Sequence, residues 1–224
     1  MLKRLLESIV RRPATRGMSQ QTDRIDYKAF WIGDSLRNIV PPSYGDQPEG
    51  WDPVQALRQI TEPYGFNKVL DFGCGYGRLA GAFDPEAYVG IDLNPSGIER
   101  AADQHPGYLF REVNLQDEYP MCDLVLAYAV FLHLDDTTLV AAMQRLRDTG
   151  ARYMLVSEIL GREWRRPGNP PVFNREESEY RELFSAIGFS LASRIDKPYA
   201  RYADNPQFAG KNTDISFLMF ARST

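Results

Sequence analysis

At 224 residues, with 43% hydrophobic and 25% charged side chains, the chain has the composition of a globular protein with a sizeable core, and its length suits one domain carrying an added lobe. A formal net charge of -4 excludes a surface that binds nucleic acid as a whole, leaving only a local basic patch for such a role. The cysteines, Cys74 and Cys122, stand outside any CxxC or Cys/His cluster, so neither a disulfide framework nor a zinc site is expected and a reducing, cytoplasmic setting is.

The chain opens on MLKRLLESIVRR, which places Leu2, Leu5, Leu6, Ile9 and Val10 on one helical face with Lys3, Arg4, Arg11 and Arg12 around it. Such a helix suits packing on the domain or on a partner chain, and its basic amphipathic pattern is shared by membrane-surface helices and transit peptides. Pro13 ends it. Residues 13 to 50 are rich in turn formers and aromatics, among them Tyr27, Phe30, Trp31 and Tyr44, and hold no long periodic pattern. Residues 1–50 therefore read as an N-terminal helix with a lid-like lobe, and residues 51–224 as the main domain. Apolar runs such as 124–132 fall far short of the roughly 20 residues of a membrane span.

Asp52-Pro53 supplies a cap and a first-turn proline for a helix carrying Val54, Leu57 and Ile60. Strand and helix patterns then alternate: strand 68–72, a helix from about 76, strand 87–91, helix 95–104, strands 108–113 and 122–128, helix 136–148 and strand 152–158. Alternation of this kind specifies an α/β fold, a mostly parallel doubly wound sheet with helices on both faces. Asn174 to Glu177 has capping-box spacing for a helix reaching about Ile187, and 189–194 and 215–221 read as two late strands that pair antiparallel, for seven in all.

The segment VLDFGCGYGR, residues 69–78, runs from a strand into a glycine turn. Its spacing, G-x-G-x-G from Gly73 to Gly77 with Arg78 beyond, misses the dinucleotide fingerprint G-x-G-x-x-G, and no G-K-[ST] follows to make a P-loop. Asp71, at the mouth of that strand, would repel a pyrophosphate and favour an ammonium. Asp92 closes the next strand about 20 residues past the first glycine, where an acid accepts both hydroxyls of a ribose. The turn thus asks for a nucleoside-like, phosphate-free, partly cationic ligand.

Asp71 to Gly77, Asp92 with Leu93, and the strand Cys122-Asp-Leu-Val-Leu-Ala-Tyr128 resemble the successive motifs of class I S-adenosylmethionine-dependent methyltransferases, over roughly residues 66 to 160. The resemblance implies a Rossmann-like seven-stranded sheet with an antiparallel last strand, and S-adenosylmethionine as cofactor. It implies that Asp71, Gly73, Cys74 and Gly75 hold the methionine part, Asp92 the ribose and Leu93 the adenine. Asn114 with Leu115 fits the place that meets the adenine amino group, and Ala127 would lie beneath the sulfur.

Methyl transfer from a sulfonium needs an oriented acceptor and excluded water, with a base only where the acceptor loses a proton. His133 after the fourth strand and Glu158 at the end of the fifth are the candidate catalytic groups, and Tyr128 is expected to line the acceptor pocket. In Gly161-Arg-Glu-Trp-Arg-Arg166, Arg162, Trp164 and Arg165 suit a phosphate, carboxylate or sugar at the mouth. Asn169-Pro-Pro-Val172 lies in the wrong loop for the Asn-Pro-Pro-aromatic motif of base amino methyltransferases and reads as a proline-rich loop. Asp135 and Asp136 read as helix caps rather than a metal pair.

The expected activity is methyl transfer to a small molecule or a glycan or lipid-linked sugar, at oxygen, with no nucleic acid partner. The alternatives are an RNA or protein methyltransferase docking through the basic first helix, and a catalytically silent cofactor-binding scaffold.

Overall fold

Helix α1 (Pro53–Thr61) begins where its cap places it, with Asp52 Oδ1 accepting from the Val54 N–H at 2.9 Å and Pro53 in the first turn, where its missing N–H leaves no hydrogen bond unmade. The computed structural model describes residues 31–32, 52–167, 172–199 and 205–223. The expected first helix, most of the lobe before residue 51 and the Asn169-Pro170-Pro171 stretch lie outside them.

Beyond α1 come β1 (Val69–Phe72), β2 (Tyr88–Asp92), α2 (Pro95–Gln104), β3 (Leu109–Glu112), β4 (Leu124–Tyr128), α3 (Asp136–Asp148), β5 (Tyr153–Ile159), α4 (Glu177–Ala186), β6 (Phe189–Pro198) and β7 (Asp214–Arg222). The strands form one sheet in the order β3-β2-β1-β4-β5-β7-β6. Neighbours from β3 through β5 run parallel, and β7 runs antiparallel between β5 and β6. β1 and β4 are buried at every position, as central strands covered on both faces must be. The strand order reverses between β1 and β4, which opens a crevice beyond their carboxyl ends.

Each face of the sheet carries its own core. On one, Leu139, Met143 and Leu146 of α3 and Tyr180, Leu183 and Phe184 of α4 pack with Leu70, Phe72, Val125 and Ala127. There Phe184 stacks on Phe220 with centroids 3.8 Å apart. On the other, Leu57 and Ile60 of α1 and a short 3-10 turn, Ala80–Ala82, cover Val69, Tyr88, Leu126 and Leu155.

Two local expectations are corrected. No α-helix follows the glycine turn: residues 75–79 form turns that lead into the 3-10 piece, with Ala80 N–H donating to Gly77 O and Phe83 N–H to Ala80 O. Gly77 and Gly81 weaken a helix here by roughly 1 kcal/mol each, and Pro85 leaves it no room. The capping box of α4 is formed by Glu176 and Glu179, the Glu176 N–H donating to Glu179 Oε2 at 2.9 Å, because Asn174 is drawn away to donate to Ile159 O at 2.8 Å.

Candidate active site

The glycine turn is shaped by what lies against it. Gly73 has φ 76°, and a Cβ there would meet the Val130 side chain at 2.6 Å. Only glycine supplies both the positive φ and the space, so the turn presses directly on the segment that follows β4. The N–H groups of Gly73 and Cys74 both donate to Ile91 O, at 2.8 and 3.0 Å, which ties the turn to the end of β2. Cys74 is buried against Gly90, and its thiol, pushed up by burial, is a packing group.

Asp92 stands partly buried at the mouth. Its Oδ2 accepts from the Gly75 N–H and its Oδ1 from the Asn94 N–H, each at 2.9 Å. Burial raises its pKa, and the amides of Asn94, Gly75 and Leu93 work against that shift. A carboxylate has about four acceptor positions, so Asp92 is oriented by backbone and keeps capacity for further donors. Leu93 beside it is half-buried.

Asp71 is buried in the second core. Its Oδ2 accepts from the Tyr88 hydroxyl at 2.6 Å, while among the described residues no donor reaches its other oxygen. Burial raises the Asp71 pKa to about 7, against the lowering effects of the Tyr88 hydrogen bond and the Arg78 charge. Arg78 also lies 4.7 Å over the ring of Tyr128. Asp71, Arg78 and Tyr128 thus share one corner of the crevice, and a cation there adds to a charge already partly balanced.

Asn114 follows β3, level with Asp92 through the Val113 N–H to Asp92 O bond at 2.9 Å. Its side-chain amide and its backbone N–H both donate to Asp117 Oδ2, at 3.1 and 2.8 Å. The Leu115 carbonyl accepts from the Tyr119 hydroxyl at 3.1 Å, so this loop is tied by its own contacts. Ala127 is buried in β4 opposite Val156. Ala129, two residues on, has φ 55°, the only positive φ of a non-glycine residue among those described. Such backbone strain marks a position fixed by its surroundings.

His133 sits in a 3-10 turn, Phe131–His133. Burial first, and then the Arg166 charge, lower its pKa to about 4, so it is neutral at physiological pH. Its Nδ1 is buried and has no hydrogen-bond partner among the described residues, and its ring meets that of Trp31 edge-on at 4.9 Å.

Glu158 is fully committed within the fold. Its Oε1 accepts from the Leu132 N–H at 2.9 Å, and its Oε2 accepts a short hydrogen bond from the Tyr180 hydroxyl. Burial raises its pKa to about 7 against those two bonds and the Arg175 charge. Arg162, Trp164 and Arg165 likewise make contacts inside the fold. Arg162 and Arg165 pair with Glu179 at 2.9 and 3.1 Å, and the Trp164 indole donates to Asn212 O at 2.8 Å with the Lys211 ammonium 4.6 Å over its ring. The arginine of that loop that acts on His133 is Arg166.

Sequence reasoning missed Arg175. It is 1% exposed and donates to Phe131 O at 2.9 Å, Leu134 O at 2.8 Å and Asp136 Oδ1 at 2.7 Å, binding together the loop that carries His133. Nothing in Asn174-Arg-Glu-Glu177 signals burial. Asp135 caps α3 through the Thr138 N–H at 2.9 Å. Among the described residues no group of three or more His, Cys, Asp or Glu is placed to hold a metal ion, and no helix is long and apolar enough to cross a membrane.

The residues fit the cofactor expected from the sequence on two counts: an acid at the end of β2 with acceptor capacity left, and a second acid in β1 with one oxygen that no donor reaches among the described residues. The comparisons agree. Residues 70–150 match the family model described as a methyltransferase domain. No curated protein matches the chain by sequence. Among solved structures, the chain is similar to the putative methyltransferase of Haloferax volcanii in complex with the Trm112 methyltransferase activator, at 14% identity and TM-score 0.66 over 87% of this chain and 98% of that one. It is similar to a TehB-like SAM-dependent methyltransferase of Corynebacterium glutamicum, at 18% identity and TM-score 0.62 over 84% and 98%. It is also similar to magnesium protoporphyrin IX methyltransferase of Synechocystis with bound SAM, at 19% identity and TM-score 0.57 over 76% and 78%. At these identities the structural likeness is one of fold: the chain has the class I fold of S-adenosylmethionine-dependent methyltransferases, and its residues 70–150 match the methyltransferase-domain model.

Proposed function

We propose that the chain is an S-adenosylmethionine-dependent methyltransferase that acts on a hydroxyl of a small molecule or of a glycan or lipid-linked sugar. The observation that carries the reading is His133: a neutral imidazole just past the end of β4, its buried Nδ1 unpartnered among the described residues. The cofactor supplies a methyl group on a sulfonium, and the residues of the chain orient the acceptor and keep water out. Asp92 would hold the ribose, Asp71 the ammonium of the methionine part, Leu93 with Asn114 and Leu115 the adenine, and Ala127 the floor beneath the sulfur. His133 would orient the acceptor hydroxyl and take its proton. With a pKa about 4 it is a weak base, which favours an acceptor hydroxyl that is itself acidic.

Glu158, with both oxygens bonded to Leu132 and Tyr180, supports this site by holding the His133 loop. Residues 1–50 would cover the acceptor as a lid, and the protein would work in the cytoplasm. A second reading has one observation behind it, the Haloferax volcanii neighbour's complex with an activator. On that reading the chain needs a partner for turnover, or serves RNA through its basic first helix.

Calorimetry with S-adenosylhomocysteine tests the cofactor assignment: Asp92→Ala should weaken binding at least tenfold, and an unchanged affinity removes the ribose role. Methyl transfer to a panel of small hydroxylated acceptors, compared with RNA at low and high salt, then separates the readings. Activity on RNA that falls steeply with salt and vanishes without residues 1–16 would favour the alternative.

A further inference from the structure

Trp31 joins the two sides of the crevice. Its backbone carbonyl accepts a short hydrogen bond from the Asn94 side-chain amide, and the Asn94 N–H in turn donates to Asp92 Oδ1 at 2.9 Å. Its indole ring meets His133 edge-on at 4.9 Å and packs against the core that contains Phe72 and Phe131. Asn94 belongs to the β2 side, as the buried N-cap of α2, whereas His133 belongs to the β4 side. The turn between them is already in contact with the segment after β4, since a Cβ on Gly73 would strike Val130. One residue from the segment before α1 is therefore fastened to the acid at the end of β2 by its main chain and to the imidazole beyond β4 by its ring.

From this geometry we infer that Trp31 is a positioning residue that walls the transfer site, holding the His133 ring beside the crevice and shielding the cofactor from water. The inference rests on the reading of the crevice between Asp92 and His133 as the cofactor site. An indole is suited to the task because a large rigid ring excludes water with few rotatable bonds to order. An edge-on contact also fixes the imidazole plane without using either of its nitrogens, which agrees with a His133 Nδ1 unpartnered among the described residues. The link from Trp31 to Asp92 runs through main-chain and Asn94 atoms, so substitution of the indole leaves that link available and removes only the wall.

The test uses the full chain, with S-adenosylhomocysteine as probe, read by calorimetry and by tryptophan emission. Wild-type protein should change its emission on binding, and Trp31→Phe should abolish most of that change while keeping affinity within about threefold, since a phenyl ring preserves the wall. Trp31→Ala should weaken binding about tenfold with a melting temperature within a few degrees of wild type. If Trp31→Ala binds as tightly as wild type while Asp92→Ala is impaired, the wall is refuted and the cofactor site stands. Should the wild-type protein fail to bind the probe at all, the cofactor-site reading falls and the inference with it. Should Trp31→Ala unfold, emission of wild type against Trp31→Phe decides, and an unchanged difference signal overturns the inference.

Discussion

Burial lifts the Asp71 carboxyl to about 7, with Tyr88 and Arg78 only partly offsetting it, and that value has a consequence for the ligand. An ammonium is attracted by the ionised acid and far less by the neutral one. If only the ionised form binds, apparent affinity scales with its fraction, which climbs about tenfold between pH 6 and pH 8. S-adenosylhomocysteine should therefore bind about tenfold tighter at pH 8 than at pH 6, and Asp71→Asn should flatten the profile while keeping the Tyr88 hydrogen bond. Asp92 is shifted in the same direction, so a slope that survives in Asp71→Asn assigns the titration to Asp92 and removes the ammonium role from Asp71. The sequence made both acids legible through their places at strand ends. It could not show that Tyr88, 17 residues on, occupies one oxygen of Asp71, because that contact depends on the β1 to β2 register.

At the scale of elements, the loop from β4 to α3 is held from outside. Arg175 takes the carbonyls of Phe131 and Leu134, Glu158 takes the Leu132 N–H, and the Phe173 N–H donates to Leu132 O at 2.7 Å. Removing the guanidinium leaves the Leu134 carbonyl without its donor, at about 1 to 3 kcal/mol, takes one of two donors from the Phe131 carbonyl, which keeps the Leu134 N–H, and breaks an ion pair whose Asp136 side is half-exposed. Arg175→Met should lower stability by about 2 to 4 kcal/mol in urea denaturation, and Arg175→Lys should recover part of it, since an ammonium keeps the charge but not the fork. A loss under 1 kcal/mol for Arg175→Met would mean that the loop holds itself. Strands and helices were legible because their apolar periodicities are local: Leu139, Met143 and Leu146 bury as their spacing requires. The His133 loop was not, because its anchors come from β5 and from residues 173 to 175, about 40 residues later, and an arginine between asparagine and two glutamates reads as surface. The expected helix after the glycine turn failed for the reverse reason, since Gly77 and Gly81 are local signals that outweigh the strand and helix alternation from which it was expected.

For the molecule as a whole, four buried groups lead the dependence of stability on pH: Asp71, Glu158 and His133, with Asp92 raised by burial in the same direction as Asp71. Asp71 and Glu158 are raised from 3.8 and 4.5 to about 7, so between pH 4 and 7 the native state holds more protons than the unfolded one and these acids make stability fall as pH rises. His133 is lowered from 6.5 to about 4, which makes stability rise with pH over nearly the same window. At about 1.4 kcal/mol per pH unit of displacement, two acids outweigh one histidine by a few kcal/mol. Below that window the paired surface acids Glu177, Glu179 and Asp196, whose pKa values are lowered, lose their contribution as they are protonated. Stability should therefore peak between about pH 4.5 and 6, and urea midpoints at pH 5.5 should exceed those at pH 7.5. The double variant Asp71→Asn, Glu158→Gln should flatten the slope, since the lowered His133 then opposes only Asp92. A wild-type maximum at neutral pH, with no change of slope in the variant, would show that the two acids are ionised in the native protein. The fold is thus most stable where Asp71 is neutral and the site is best charged where the fold is weaker, and ligand binding closes that gap. Saturating S-adenosylhomocysteine, bound to the native state alone, should raise the midpoint more at pH 7.5 than at pH 5.5, and in Asp71→Asn the two increments should become equal.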